Sequence, residues 1–256
     1  MSSKSYKILV VDDNVINQKV AVKMLERSNI AADIAANGRE AVDAFKNLQY
    51  DLILMDIQMP EMDGLEATRT IRTIEQNKKR TTIIALTANA MEGDRERCLK
   101  AGMDDYLSKP IKKQDIDMML ERWLSSESGT GGSGIQGVDT QKYEMIDPKR
   151  IQQIKEIGDT ELLHELLLLY LEDIKQFSID ISLAKEKSNF KQIYECSHKL
   201  KGSSANLGIE SIREACIVME QYAKENDLER IGSHFTAMEG MIEQVRKYIV
   251  RTVQPK

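Results

Sequence analysis

The sequence has little cysteine and no long hydrophobic run. Its three cysteines, Cys98, Cys196 and Cys216, are far apart and form no Cys-x-x-Cys pair, so we interpret them as ordinary buried or half-buried thiols. The closest approach to a membrane helix, residues 162–170, is interrupted by a histidine and a glutamate and is far shorter than the roughly 20 residues needed. We expect no direct membrane insertion. The first apolar run is too short for a signal peptide, which makes the cytoplasm the expected compartment.

An excess of positive charge is also missing. The formal net charge is −5 over 256 residues, with −1 in residues 1–126 and −4 in residues 127–256. Nucleic-acid-binding proteins usually present a basic surface, so neither half is expected to bind nucleic acid. A chain of this length is sufficient for two domains that each bury a core.

Short apolar runs alternate with helical periodicity in the first half. Continuous aliphatic runs, typical of parallel strands covered on both faces, occur at residues 8–11, 52–55 and 83–86. Two weaker runs, 31–35 and 106–107, are predicted to be edge strands. Helical patterns lie near residues 15–28, 38–48, 65–76, 91–101 and 112–124. Five consecutive β-α units predict an α/β doubly wound fold with a five-stranded parallel sheet.

Small polar residues separate this half from the next. Residues 125–134 cannot bury a core, so they mark a domain boundary. The predicted parts are a first domain (1–124), a flexible Gly/Ser-rich linker (125–143) and a second domain (144–256). The linker composition is typical of engineered linkers as well as natural ones.

The second half has the pattern of a helical bundle. An Asp147-Pro148 helix start opens it, with Asp as the cap and Pro at the first helical position. Apolar helical periodicity covers residues 148–157, 161–187, 190–207, 210–224 and 229–250. This pattern predicts an all-α antiparallel helical bundle.

Five polar side chains follow the predicted strands. Asp12 and Asp13 follow the first strand, Asp56 the third, Thr87 the fourth and Lys109 the fifth. Each alone is more often a solvated loop residue. Because strand carboxyl ends share one rim in a doubly wound sheet, we expect these groups to converge. Three crowded carboxylates require a cation, and oxygen ligands suit Mg²⁺. The rim then offers a carboxylate nucleophile toward phosphorus, with the lysine and threonine placed to bind phosphate oxygens.

Four sequence blocks carry these residues: ILVVDDN at 8–14, MDIQMPEMDG at 55–64, LTANA at 86–90 and AGMDDYLSKP at 101–110. They resemble the receiver domain of response regulators, in the form found in hybrid sensor histidine kinases, and the likeness covers residues 6–124. The resemblance implies a flavodoxin-like fold in which Asp56 accepts a phosphoryl group. The other implied roles are Mg²⁺ coordination by Asp13, Asp56 and the backbone carbonyl of Gln58, support of the metal's water shell by Asp12, and phosphoryl contacts from Thr87 and Lys109.

One of three histidines stands apart. His164 and His234 are interpreted as core or surface histidines. His198 lies just off the apolar stripe of its helix, toward solvent, and is predicted to be accessible. Lys201 and Gly202 share its face: the lysine supplies positive charge, and the glycine, which costs about 1 kcal/mol in a helix interior, clears room for a docking partner. No metal-ligand spacing accompanies this histidine, so no metal site is expected here.

The block HKLKGSSANLG at residues 198–208 closely resembles the signature of histidine-containing phosphotransfer domains, and the likeness covers residues 144–250. It implies that His198 carries a phosphoryl group at a site shaped by Lys201 and Gly202. The two resemblances predict a two-component phosphorelay protein that passes a phosphoryl group between Asp56 and His198, or between them and external partners. The expected partners are a cognate histidine kinase and other receiver or phosphotransfer domains. The oligomeric state is open.

Other interpretations are weighed against this one. A complete histidine kinase is disfavoured because the chain has no glycine-rich ATP-binding boxes, so its classification as an enzyme stays open. A C-terminal fragment of a hybrid kinase fits the sequence. A transcription factor is disfavoured because the acidic second half lacks a basic recognition helix. A two-domain adaptor in which neither Asp56 nor His198 is phosphorylated stays open.

Overall fold

The chain forms two compact units, residues 1–139 and 140–256. The computed structural model describes residues 6–75, 80–87, 92–124 and 145–253. The predicted linker, residues 125–143, lies outside this range. No helix in the described part of the chain combines the length and apolar character needed to cross a bilayer.

The first unit is a five-stranded parallel sheet with a helix after each strand. The strands are β1 (Ile8–Val11), β2 (Ala32–Ala35), β3 (Leu52–Asp56), β4 (Thr82–Thr87) and β5 (Asp105–Ser108). The helices are α1 (Val15–Glu26), α2 (Gly38–Asn47), α3 (Gly64–Glu75), α4 (Glu92–Ala101) and α5 (Lys113–Leu124). All described pairings are parallel, in the order β2-β1-β3-β4-β5. The predicted doubly wound sheet is confirmed, and the two weak runs are its edges.

The continuous apolar runs of the sequence form the central strands of the sheet. β1 and β3 are buried along their whole length because helices cover both faces of the sheet. β3 runs one residue beyond its predicted apolar stretch, because the ladder continues through Asp56, which pairs with Leu86. β4 exceeds its predicted stretch by one residue at each end, and its last residue, Thr87, pairs with Ser108. Asp56 and Thr87 are therefore the last residues of their strands, and the reversal of strand order between β1 and β3 opens a crevice at this rim.

The second unit consists of helices. They are α6 (Pro148–Glu186), α7 (Phe190–Leu207), α8 (Glu210–Lys224) and α9 (Leu228–Val253). Two or three residues connect each pair, as is usual for antiparallel neighbours. The first two predicted helices are one run that is interrupted at Asp159, whose backbone is non-helical (φ 77°). The Asp159 side chain accepts hydrogen bonds from the backbone N–H groups of Glu161 and Leu162, so it caps the helix that restarts there.

Residues at the start of α6 form hydrogen bonds with the C-terminal end of α7. Gly208 ends α7 in the left-handed conformation (φ 69°), and its carbonyl accepts the N–H of Asp147 at 2.7 Å. Buried Arg150 donates to the carbonyl and the side-chain oxygen of Asn206. A Cβ at Gly208 would lie 2.7 Å from the Cβ of Arg150, so a larger residue does not fit. These contacts fix the helix that carries His198.

Candidate functional site

Three carboxylates meet at the rim of the sheet. Asp12 lies directly after β1, Asp13 follows it, and Asp56 ends β3. One oxygen from each lies within 4.8 Å of the others, which is close enough to hold one metal ion. Asp12 and Asp56 are buried and Asp13 is half-buried. The structure thus brings together the acidic residues that the sequence places at this rim.

Lys109 neutralises part of this charge. It follows β5, and its Nζ donates to Oδ2 of Asp12 at 2.7 Å and to Oδ2 of Asp56 at 2.6 Å, with its side chain only 6% exposed. Burial raises the pKa of Asp56 to about 6; Lys109 opposes this rise, and the charges of Asp12 and Asp13 add to it. Burial disfavours the Lys109 ammonium, but the two carboxylates outweigh that effect and raise its pKa. The lysine therefore stays charged.

Thr87 and Gln58 complete the predicted set. Thr87 is buried at the end of β4, and its carbonyl accepts the N–H of Lys109 at 2.7 Å, which ties the lysine to the rim. Gln58 is exposed, and its backbone N–H donates to Oδ1 of Asp56 at 3.4 Å. Both residues therefore border the carboxylate cluster.

Asp12 has partners that the sequence interpretation missed. Its Oδ1 accepts the N–H of Asn14 at 3.0 Å and the side-chain amide of Asn17 at 2.9 Å. Its backbone carbonyl accepts the side-chain amide of Gln18 at 2.6 Å. All three partners are buried. The sequence signal for them is a set of amides in the first turns of a helix that directly follows two aspartates.

On the second unit, His198 contacts a carboxylate that also binds a lysine. Its Nδ1 is 2.9 Å from Oε1 of Glu220, a residue of α8, and Nζ of Lys201 lies 2.7 Å from Oε2 and 2.5 Å from Oε1 of the same carboxylate. The Tyr194 ring stacks one turn earlier, with ring centroids 6.0 Å apart. The His198 side chain is 14% exposed, so it is less accessible than its helix position predicts, because α8 covers one edge of the ring.

Glu220 fixes the protonation of the imidazole. Burial raises the pKa of Glu220, but the hydrogen bonds from His198 and Lys201 outweigh burial and lower it below its usual range. An ionised carboxylate only accepts hydrogen bonds, so Nδ1 of His198 carries the proton that points to it. In the neutral ring this leaves the lone pair on Nε2, which makes no hydrogen bond within the described residues. Nε2 is therefore the ring nitrogen with an available lone pair.

The remaining candidates divide between site and core. Gly202 is half-buried one turn after His198, whereas Ala205, which the helix pattern places on the same face, is buried. His234 donates from Nε2 to the carbonyl of Ala215 at 2.8 Å and is a packing residue, and His164 is half-buried in α6.

Comparison with known proteins follows the division of the chain. The family model of the response regulator receiver domain matches residues 8–121, and that of the Hpt domain matches residues 161–248. The signal transduction histidine-protein kinase BarA of Escherichia coli K12 is 31% identical over 237 residues, which cover 89% of this chain and 25% of BarA. The sensor protein GacS of Pseudomonas syringae is 29% identical over 230 residues, which cover 88% of this chain and 25% of GacS.

Further matches involve the first unit. Hybrid signal transduction histidine kinase G of Dictyostelium discoideum is 48% identical over 124 residues, which cover 48% of this chain and 4% of that protein. Among solved structures, the magnesium-bound receiver domain of sensor histidine kinase PA1611 from Pseudomonas aeruginosa PAO1 is 46% identical and covers 48% of this chain and 100% of that chain, with a TM-score of 0.45. The chain spans about a quarter of the length of BarA and GacS.

Proposed function

We propose that this chain, in which a response-regulator receiver domain is followed by an Hpt domain, is a phosphorelay protein and that Asp56 and His198 carry its phosphoryl groups. One observation carries the proposal: each unit surrounds one nucleophile with charges that suit it. Asp56 lies 2.6 Å from a buried lysine inside a carboxylate cluster, and His198 presents Nε2 while Glu220 holds Nδ1. The receiver is proposed to occupy residues 1–124, the linker 125–143 and the Hpt domain 144–256.

The transfer step follows from these two environments. When phosphohistidine gives up its group, a carboxylate oxygen of Asp56 forms the new O–P bond as the Nε2–P bond breaks, and the electron pair of that bond returns to Nε2. The proton on Nδ1 stays in place, so no proton needs to move. In the reverse direction the Nε2 lone pair attacks, and the positive charge that develops on the ring is stabilised by the Glu220 carboxylate.

The carboxylate cluster fits a magnesium ion. We propose that Asp12, Asp13 and Asp56 hold Mg²⁺, with the backbone carbonyl of Gln58 as a further oxygen ligand. When bound, the ion neutralises phosphoryl oxygens during transfer. Lys109, which the two aspartates keep charged, binds another phosphoryl oxygen, and the Thr87 hydroxyl donates a hydrogen bond to a third.

The setting of these reactions is proposed from the matched relatives. BarA is a signal transduction histidine-protein kinase and GacS is a sensor protein, and each is about four times as long as this chain, so we propose that the chain is the corresponding part of a hybrid histidine kinase. Its partners are then a cognate histidine kinase and other receiver or Hpt domains, and its compartment is the cytoplasm.

Selective labelling tests the proposal. The full chain is incubated with a small-molecule phosphodonor and Mg²⁺, and acyl phosphate (alkali-labile) is separated from phosphohistidine (acid-labile). With Asp56→Asn we expect both labels to fall by more than about a hundredfold, while a separate phosphorylated receiver still labels His198. With His198→Gln we expect loss of the acid-labile label alone.

Matched substitutions serve as controls. Asp63→Asn alters an exposed helix cap, whose Oδ1 accepts the N–H of Glu66, and His164→Gln alters a half-buried histidine; both should label normally. Undiminished acyl phosphate on Asp56→Asn would refute the assignment of Asp56. Absence of label on the wild-type chain would refute the relay function and leave the adaptor interpretation.

A further inference from the structure

The two oxygens of the Asp12 carboxylate have different partners. Oδ1 faces α1 and accepts the N–H of Asn14 and the side-chain amide of Asn17. Oδ2 faces the other carboxylates and accepts the Lys109 ammonium at 2.7 Å. The side chain is 1% exposed, so water does not replace these donors. One oxygen of the Asp12 carboxylate is therefore held by residues at the start of α1, and the other oxygen is directed at the carboxylate cluster.

Asn17 is the side chain best placed to maintain this division. It is 3% exposed, and its Nδ2 lies 2.9 Å from Oδ1 of Asp12. Its own backbone is fixed, because Oδ1 of Asn14 accepts the N–H groups of Ile16 and Asn17 at the start of α1. The N–H of Asn14 also donates to Oδ1, but it is a backbone group that no side-chain substitution removes. The amide of Asn17 is the side-chain donor to this oxygen.

We propose that Asn17 is a positioning residue for the divalent cation: it holds Oδ1 of Asp12 so that Oδ2 alone faces the ion. This inference rests on the proposed Mg²⁺ site. A carboxylate that turns to present both oxygens, or neither, changes the number and direction of ligands available to the ion. Groups that orient a metal's ligands typically change its affinity by about 10–100-fold when they are removed.

Gln18 provides a matched control. It is the next residue, its side chain is also a buried amide, and it also donates to Asp12, but to the backbone carbonyl rather than the carboxylate. Removing either amide deletes a buried hydrogen bond to the same residue. Only the loss of Asn17 removes a side-chain donor from Oδ1 of the carboxylate.

Isothermal titration of the full chain with Mg²⁺ tests the proposal, alongside urea unfolding of each variant. We expect Asn17→Leu to weaken Mg²⁺ binding by at least about tenfold and Gln18→Leu to change it by less than about twofold, although both lower the urea midpoint. If Asn17→Leu does not fold, Asn17→Ala, which adds no bulk, takes its place. We expect Asn17→Ala to weaken Mg²⁺ binding by the same factor. Equal Mg²⁺ affinity in the Asn17 and Gln18 variants would overturn the inference. No Mg²⁺ binding by the wild-type chain would instead overturn the proposed site itself.

Discussion

The two candidate sites differ in how their charges are balanced. The receiver site crowds three carboxylates around one lysine, and its groups come from the ends of separate strands. The Hpt site places one carboxylate between a histidine and a lysine on two neighbouring helices. The first site has an excess of negative charge that a cation can balance, whereas the second is already balanced. Transfer chemistry can therefore be concentrated in one domain, and the other needs only a correctly protonated nucleophile.

The same contrast appears in the two buried acids. Burial dominates at Asp56, where the pKa is raised to about 6, since one lysine is shared between two carboxylates. Partners dominate at Glu220, where the pKa is lowered, since the histidine and the lysine both donate to one carboxylate. The ratio of donors to carboxylates thus decides the direction of the shift.

Lys109→Met should produce the largest effect. It leaves two buried carboxylates without their counter-charge, so we expect the free energy of unfolding of the receiver to fall by about 3 kcal/mol without Mg²⁺. Added Mg²⁺ should restore part of this loss. Acyl phosphate formation should slow by about a hundredfold or more, because a donor to the phosphoryl oxygens is missing. Urea unfolding with and without Mg²⁺ and labelling of Asp56 measure both effects.

Lys112→Met is the control for this change. Lys112 is exposed and three residues away, so its loss should leave both measurements nearly unchanged. An equal loss of stability with and without Mg²⁺ in Lys109→Met would contradict the view that lysine and cation balance the same charge.

Glu220→Gln should have an intermediate effect. The amide can still accept from Nδ1 of His198 but offers no charge, so phosphoryl transfer to His198 should slow by about tenfold, which corresponds to about 1.4 kcal/mol of lost transition-state stabilisation. Labelling of His198 by a phosphorylated receiver, with samples quenched at successive times, measures the rate. Glu225→Gln, an exposed change one turn later, serves as the control, and equal rates in the two variants would contradict the role of Glu220.

The pH dependence of stability should have opposite signs at the two acids. The lowered pKa of Glu220 stabilises the fold above the ordinary carboxyl value of 4.5, and this is lost as the pH falls through the native pKa; the deficit of Glu220→Gln should vanish in acid. The raised pKa of Asp56 costs wild-type stability as the pH rises from about 4 to about 6, so Asp56→Asn should gain relative stability over that range without Mg²⁺. Urea unfolding at pH 3–7 checks both; shifts of the same sign would contradict the comparison.

Much of the fold and part of the site could be predicted from sequence for a physical reason. The residue that follows each apolar run can be identified from the sequence alone, and in a parallel sheet such residues share one edge. The positions of Asp12, Asp56 and Lys109 after apolar runs therefore indicate that they converge, and the structure brings them together. The gap between the predicted helical segments 148–157 and 161–187 also contains Asp159, where the backbone of α6 is non-helical.

The contacts that tune both sites could not be predicted in this way. Glu220 lies 22 residues from His198 on another helix, and the helical pattern of either segment does not specify which side chains face each other across the pair. Asn17 and Gln18 were missed because an amide residue does not itself show whether it is buried, and only their position shortly after two aspartates marks them. Periodicity predicts which face is buried, but polar pairing within the buried layer depends on the packing geometry.

The smallest effect is expected at Gly202, which clears the surface beside His198, and a second glycine serves as its control. Gly202→Ala adds one methyl group one turn from the imidazole, so transfer to His198 should slow by about threefold, or about 0.6 kcal/mol, with the helix still formed. Gly240→Ala makes the same change in α9, where a Cβ has no neighbour within 4 Å; it should raise stability by about 1 kcal/mol and leave transfer unchanged. Transfer rates from a phosphorylated receiver and urea midpoints separate the two. If Gly202→Ala also transfers at the wild-type rate, the Hpt site needs only the Nε2 lone pair of His198, and the glycine belongs to helix packing rather than to docking.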